Sequence, residues 1–252
     1  MKFGGKSDKG LHRTKNEDAY CIIDQTEKSG TVVLAVADGM GGHKAGNVAS
    51  TMAIESIETF YKENPIDTAG AVDFSSITER LGDTIRDTNE SIYERSVTDP
   101  ECEGMGTTLT VAVIAKENAA LAHIGDSCAY HFHDGKMSKI TTDHTYVEEL
   151  VKRGTLSREE ALIHPQRNYI TKVVGCFDII VPDFYSVDLA PEDRVLLCSD
   201  GLNKMLNDED ILQIVCGFDD PELICTKLIE AANLKGGLDN ITAVVFLNLD
   251  EV

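Results

Sequence analysis

Thr31-Val-Val-Leu-Ala-Val-Ala37-Asp38-Gly39-Met40-Gly41-Gly42-His43 opens with an unbroken run of apolar and β-branched residues. A run of that length without polar alternation reads as a strand covered on both faces. It stops at Asp38-Gly39, a glycine-rich turn follows, and a helical pattern begins beyond it. A carboxylate at the end of a buried strand is costly to desolvate unless a cation meets it. Neighbouring glycines let the backbone come close to such a cation, or to a phosphate. The pattern recurs in Val195-Leu-Leu-Cys-Ser-Asp200-Gly201 and in Leu121-Ala-His-Ile-Gly125-Asp126-Ser127, while Asp239-Asn240 stands just before the run Ile241–Leu247. One Asp-Gly after a strand is ordinary turn chemistry. Four carboxylates repeated at strand ends point instead to one shared site, and an all-oxygen donor set selects a hard ion, Mg²⁺ or Mn²⁺ ahead of Ca²⁺.

Outward from this stretch, Ala45, Val48, Ala49, Met52, Ala53, Ile57 and Phe60 keep helical spacing, as do Ile77, Leu81, Ile85, Thr88 and Ile92, with a loop expected over 64–76. Both stripes read as core. The charged segment 7–18 reads as a loop and 19–24 as a strand. Residues 106–140 read as strands joined by short turns, an antiparallel meander. His131 and His133 share a strand face but have no clear third donor, so they read as surface side chains rather than metal ligands. Residues 143–175 form a polar excursion with two short helices, the second opened by the capping box Ser157 with Glu160. This excursion reads as a flap beside the site. Strands are expected at 184–189, 194–199 and 241–249, and helices at 208–216 and 221–233. The elements do not alternate as βαβ, so packed sheets covered by helices are expected rather than a doubly wound parallel sheet.

Composition narrows the function. The 252 residues, 42% of them hydrophobic, can bury a sizeable core and suit one large or two small domains. A net charge of −20, from 43 acids against 23 bases, disfavours nucleic acid and anionic membrane surfaces as partners. The seven cysteines are scattered singly with no C-x-x-C pair, which suits a reduced, cytoplasmic protein. The N-terminus lacks a signal-peptide apolar region, and no stretch has the length of a membrane span. The loop after residue 38 is neither Gly-x-Gly-x-x-Gly in register nor a P-loop, because Lys44 and Asn47 stand at the deciding positions. No cysteine has an arginine six positions on, and no Gly-x-Ser-x-Gly elbow occurs.

Taken together, the motifs resemble the metal-dependent protein phosphatase 2C family in its bacterial branch. The resemblance spans roughly residues 4 to 249 and rests on an ordered set. Ser7-Asp8…Gly10…Arg13…Asn16-Glu17-Asp18 comes first and Ala37-Asp38-Gly39-Met40-Gly41-Gly42 second. Gly106-Thr107-Thr108, Gly125-Asp126-Ser127, Asp143-His144, Ser199-Asp200-Gly201-Leu202 and Asp239-Asn240-Ile241-Thr242 follow. It implies an α+β fold, a four-layer αββα sandwich of two antiparallel sheets flanked by helix pairs, as one domain with a flap at 145–175.

The resemblance also implies roles. Asp38 would bridge two Mn²⁺ or Mg²⁺ ions. Asp200 and Asp239 would complete the first ion's ligands. The Gly39 carbonyl would serve the second, with Glu17 and Asp18 acting partly through water. Asp126 with Asp200 would hold a third, weaker ion, and Arg13 would clamp phosphate. The implied reaction is hydrolysis of phosphoserine and phosphothreonine in proteins by metal-activated water, without a phosphoenzyme. The implied partners are phosphoproteins, including a serine/threonine kinase and its substrates, and the chain is expected to be a monomer. Two positions depart from the family: Cys128 stands where an arginine is usual, and Met40 where eukaryotic members carry a histidine proposed as general acid. His43 or a metal-bound water remain alternatives for that role. A non-catalytic phosphoprotein-binding module and a nucleotide phosphodiesterase are the competing readings. Retention of every acid argues against the first, and the negative charge argues against the second.

Overall fold

Strands that are apolar along both faces need cover on both sides, and among the described residues three apolar clusters provide it. Along one strand, Val33, Ala35 and Ala37 enter the first core, while Val32, Leu34 and Val36 enter another. Along a second strand, Ile241, Ala243, Val245 and Leu247 join a third cluster, while Val244 and Phe246 return to the core holding Val32. The period-two alternation of a strand therefore separates two apolar environments rather than core from solvent. Each fully buried Val or Leu contributes ~1.5–3 kcal/mol, so this double burial fixes register firmly.

The structure, a computed structural model, describes residues 1–41, 45–66, 74–115 and 117–249. In chain order the elements are β1 (Lys2–Asp8), β2 (Asp18–Gln25), the short α1 (Thr26–Ser29), β3 (Thr31–Met40), α2 (Gly46–Glu63), α3 (Phe74–Thr98) and a 3-10 turn (Pro100–Cys102). Then come β4 (Gly106–Thr107), β5 (Leu109–Ala115), β6 (Asn118–Ile124), β7 (Cys128–His133), β8 (Lys136–Lys139), α4 (Tyr146–Lys152) and α5 (Arg158–Ile163). The chain continues with β9 (Asp183–Asp188), β10 (Arg194–Cys198), α6 (Asp200–Asn203), α7 (Asp208–Cys216), α8 (Pro221–Leu234) and β11 (Ile241–Leu247). One antiparallel sheet has the order β1-β11-β10-β7-β8; the other runs β2-β3-β5-β6-β9, with β4 paired to the end of β3. Helices α2 and α3 cover the second sheet and α7 with α8 the first. This is the four-layer αββα, α+β arrangement the resemblance implied.

Several local expectations change. The stretch 106–140 is not one meander: β5 and β6 pair in one sheet, but β7 and β8 belong to the other. The crossing falls at Gly125-Asp126-Ser127, where Gly125 has φ +108°, a value a side chain tolerates poorly. The strand of the opening motif does not end at Asp38. It runs on to Met40 because Gly39 and Met40 pair with Thr107 and Gly106. The charged N-terminal segment starts as a strand, since Lys2–Asp8 pairs in register with β11. The 145–175 excursion is pinned at its base by the bridges Thr145–Ile170 and Thr107–Val174. The glycine-rich loop at residues 42–44 and part of the 64–76 loop lie outside the described residues, while the strand expected at 241–249 ends at Leu247.

Candidate active site

Antiparallel pairing explains why these acids meet. A residue that closes one strand lies beside the residue that opens its neighbour. Asp18 opens β2 directly opposite Asp38 in β3. Asp200 follows β10 and Asp239 precedes β11, its antiparallel partner. Asp126 follows β6 at the crossing between sheets. All five carboxylates therefore gather at one end of the sandwich. Burial first, then the charges of Asp18, Asp200, Asp126 and Asp239, push the Asp38 carboxyl well above the usual range. Asp18 and Asp126 are each pushed up to about 7, again by burial first and then partly by neighbouring acids.

The surroundings hold each acid in place. The Asp38 N–H donates to Thr108 Oγ1 at 2.9 Å, and Thr107 Oγ1 and the Thr108 N–H both donate to the Asp38 carbonyl. Asp18 Oδ2 accepts from Ser199 Oγ at 2.7 Å and Thr242 Oγ1 at 2.6 Å. Arg13 Nη2 donates to Asp239 Oδ2 at 2.8 Å, and Lys204 Nζ donates to Asp200 Oδ2. The Gly39 N–H donates to the Glu17 carbonyl at 3.0 Å. A Cβ on Gly39 would stand 2.1 Å from the Gly46 carbonyl, so this crossing of loop and helix needs glycine. The Glu17 carboxyl carbon lies against Gly46 at the start of α2.

A divalent cation fits these residues. As the side chains stand, no set of three His, Cys, Asp or Glu among the described residues is arranged to hold an ion. The carboxylates are turned onto the chain's own donors instead. Yet Asp18 Oδ1, Asp126 Oδ1 and Asp200 Oδ1 are buried with no hydrogen-bond partner. Buried, unpartnered carboxylate oxygens are strongly unfavourable. Three at one strand end, among acids that raise one another's pKa, make a donor set suited to a hard cation.

Sequence reasoning missed what positions the site. Asn240, 4% exposed, accepts the Glu17 N–H on Oδ1 and donates to the Lys9 and Lys15 carbonyls, so it hangs the Arg13 loop on β11. Ser199, Thr242 and Thr108 belong to the motifs, but their holding role does not follow from the motifs alone. Their signal was polarity beside or within fully apolar strands, since a buried hydroxyl must find a partner. Lys204 stands four residues after Asp200, within reach along a helix, and that spacing is the signal for its role. Met40 occupies the strand end, and His43, the alternative general acid, lies outside the described residues. At the opposite end of the sandwich, His131 and His133 are not simply surface. Both close at 2.7 Å on Asp193, which is 3% exposed. Burial pushes the Asp193 carboxyl up, but the bonds from His133 and His131 outweigh it and hold it below the usual range.

A groove of about 670 Å³ adjoins the carboxylates and is lined by Asp126, Lys139, Asp200 and Lys204 together with Glu148 of α4 and Arg158 of α5.

Comparison with known proteins gives a consistent result. A sequence model of the family described as protein phosphatase 2C matches residues 12–222. Protein phosphatase PhpP of Streptococcus pneumoniae is 39% identical over 253 residues, covering 100% of this chain and 99% of its own. A serine/threonine phosphatase structure from S. agalactiae superposes with a TM-score of 0.89 at 33% identity, covering 99% of both chains. The catalytic domain of the serine/threonine protein phosphatase PstP, solved in complex with two manganese ions, superposes with a TM-score of 0.83 at 35% identity, over 99% of this chain and 98% of that one.

Proposed function

This chain belongs to the protein phosphatase 2C family, and from that premise we propose that its carboxylate end is the working centre of a metal-dependent serine/threonine protein phosphatase. The observation that carries the reading is the trio of buried, unpartnered oxygens on Asp18, Asp126 and Asp200. In this reading Asp38, Asp200 and Asp239 hold two Mn²⁺ or Mg²⁺ ions, together with the Gly39 carbonyl, Glu17 and Asp18. Asp126 with Asp200 takes a third ion. When bound, such ions supply Lewis-acid activation of water and neutralise charge on the phosphoryl group.

The rest falls to the chain. Arg13 is half exposed and bound only at its tip to Asp239, so its guanidinium is free to turn and grip phosphoryl oxygens bidentately. Ser199 and Thr242 fix one oxygen of Asp18 and leave the other facing the site. Thr107 and Thr108 hold the Asp38 backbone so that its carboxylate is presented without reorganisation. The whole chain acts as one catalytic domain, with the 145–175 excursion as a flap along the groove.

Phosphorylated proteins are the substrates. A serine/threonine kinase and its targets are the partners of this reading, and the enzyme works in the cytoplasm as a monomer. Among the described residues no helix is long and apolar enough to cross a membrane. The test is hydrolysis of p-nitrophenyl phosphate and of a phosphothreonine peptide. Both activities should vanish in excess chelator and return with added Mn²⁺. Full turnover in chelator would overturn the reading.

A further inference from the structure

Asp126 and Asp200 are 6% and 8% exposed, and each has one buried oxygen without a partner. Beside them the chain has placed a cation of its own. Lys204 donates its ammonium to Asp200 Oδ2, and its charge also acts on Asp126 and Asp38. Its position is fixed locally: the Lys204 N–H donates to the Asp200 carbonyl at 2.9 Å, closing the turn of α6. The ammonium is therefore rooted within reach of the same carboxylate. The side chain is 39% exposed, so it is free to leave. Of the three other cations that line the groove, Lys139, Arg158 and Arg167, the first two are engaged elsewhere. Lys139 is held by both oxygens of Asp143 at 2.7 and 2.8 Å, and Arg158 reaches Glu148 at 3.5 Å. Cys128, next in the chain after Ser127, is a fully buried thiol whose S–H donates to the Asp126 carbonyl at 3.5 Å, so it adds no charge.

We infer that Lys204 is the built-in counter-cation of the Asp126–Asp200 pair, and that it competes with a divalent ion there and so sets how much free metal the outer position requires. An ion arriving at this pair must displace the ammonium or share the carboxylates with a like charge, and either weakens its binding. This rests on the reading of the carboxylate end as a metal site. It assigns the residue that tunes the metal response, not another ligand.

The test is a calorimetric Mn²⁺ titration of chelator-stripped protein without substrate, comparing wild type, Lys204→Met, Lys204→Gln, Lys204→Arg and the double variant Lys204→Met/Asp126→Ala. Both neutral variants should bind the weakest ion ~10-fold more tightly, the order expected when one unit charge is removed beside an ion in a half-wet site. Lys204→Arg should bind like wild type, and adding Asp126→Ala should abolish the gain. In chelator Lys204→Met should melt below wild type, and Mn²⁺ should raise its Tm more. If wild type and both neutral variants are folded and bind every ion within ~2-fold of one another, the inference is overturned while the metal site stands. If wild type binds no Mn²⁺, the metal-site reading falls and this inference with it.

Discussion

Asn240→Ala tests how the site is held together. The residue is 4% exposed and makes three hydrogen bonds across more than 200 positions of sequence: from Glu17 N–H at 2.8 Å, and to the Lys9 and Lys15 carbonyls at 2.9 and 2.8 Å. At a net ~1 kcal/mol each, the three together stabilise the 9–17 loop by ~3 kcal/mol. Truncation also leaves part-buried backbone groups without these partners, so the loss should fall at ~2–4 kcal/mol if the loop unfolds with the rest of the protein. If the loop opens by itself, part of that energy appears as local opening rather than global unfolding. Urea unfolding in chelator measures the first, and hydrogen exchange at residues 9–17 the second. Arg13 and Glu17 ride on this loop, so KM for a phosphopeptide should rise in Mn²⁺. A variant with a stability loss under ~1 kcal/mol, native exchange in the loop and unchanged KM would refute the reasoning. The loop would then hang on Gly237, whose carbonyl accepts from the Leu11 and His12 N–H groups.

Other outcomes follow from the same geometry. Asp38→Asn should remain folded and lose at least ~10²-fold in turnover, the scale of one preorganised electrostatic group; near-normal turnover would reduce Asp38 to a strand-end turn residue. Arg13→Ala should raise KM and leave Mn²⁺ affinity intact by calorimetry, and lost metal affinity would reassign Arg13 to pairing with Asp239. At the far end, the bond to Asp193 holds the His133 pKa above its usual value. That contribution is complete below the unfolded histidine pKa of about 6.5 and is lost as pH rises through the folded value. Asp193→Asn should therefore cost more stability at pH 5.5 than at pH 8.5, measured as urea midpoints, and an equal cost at both would exclude the ionic clasp.

The buried strands and the identity of the acids are legible in the chain alone, because both are local signals. Unbroken apolar runs such as Val32–Ala37 have one favourable solution, cover on both faces, and the acids that break or border them are conspicuous against that background. Helices α2 and α3 and the capping box at Ser157 were legible for the same reason. Tertiary structure alone decided the rest. The crossing of β6 to β7 between sheets was invisible because a turn into a neighbouring strand and a turn into the opposite sheet use the same residues. β1 was hidden because Lys2–Asp8 is polar and becomes a strand only through its register with β11. The holding of Asp18 by Ser199 and Thr242, of the Arg13 loop by Asn240, and of His131 and His133 by Asp193 joins groups tens to hundreds of positions apart. No periodicity records such bonds, because each is set by where the sheets place strand ends rather than by spacing along the chain.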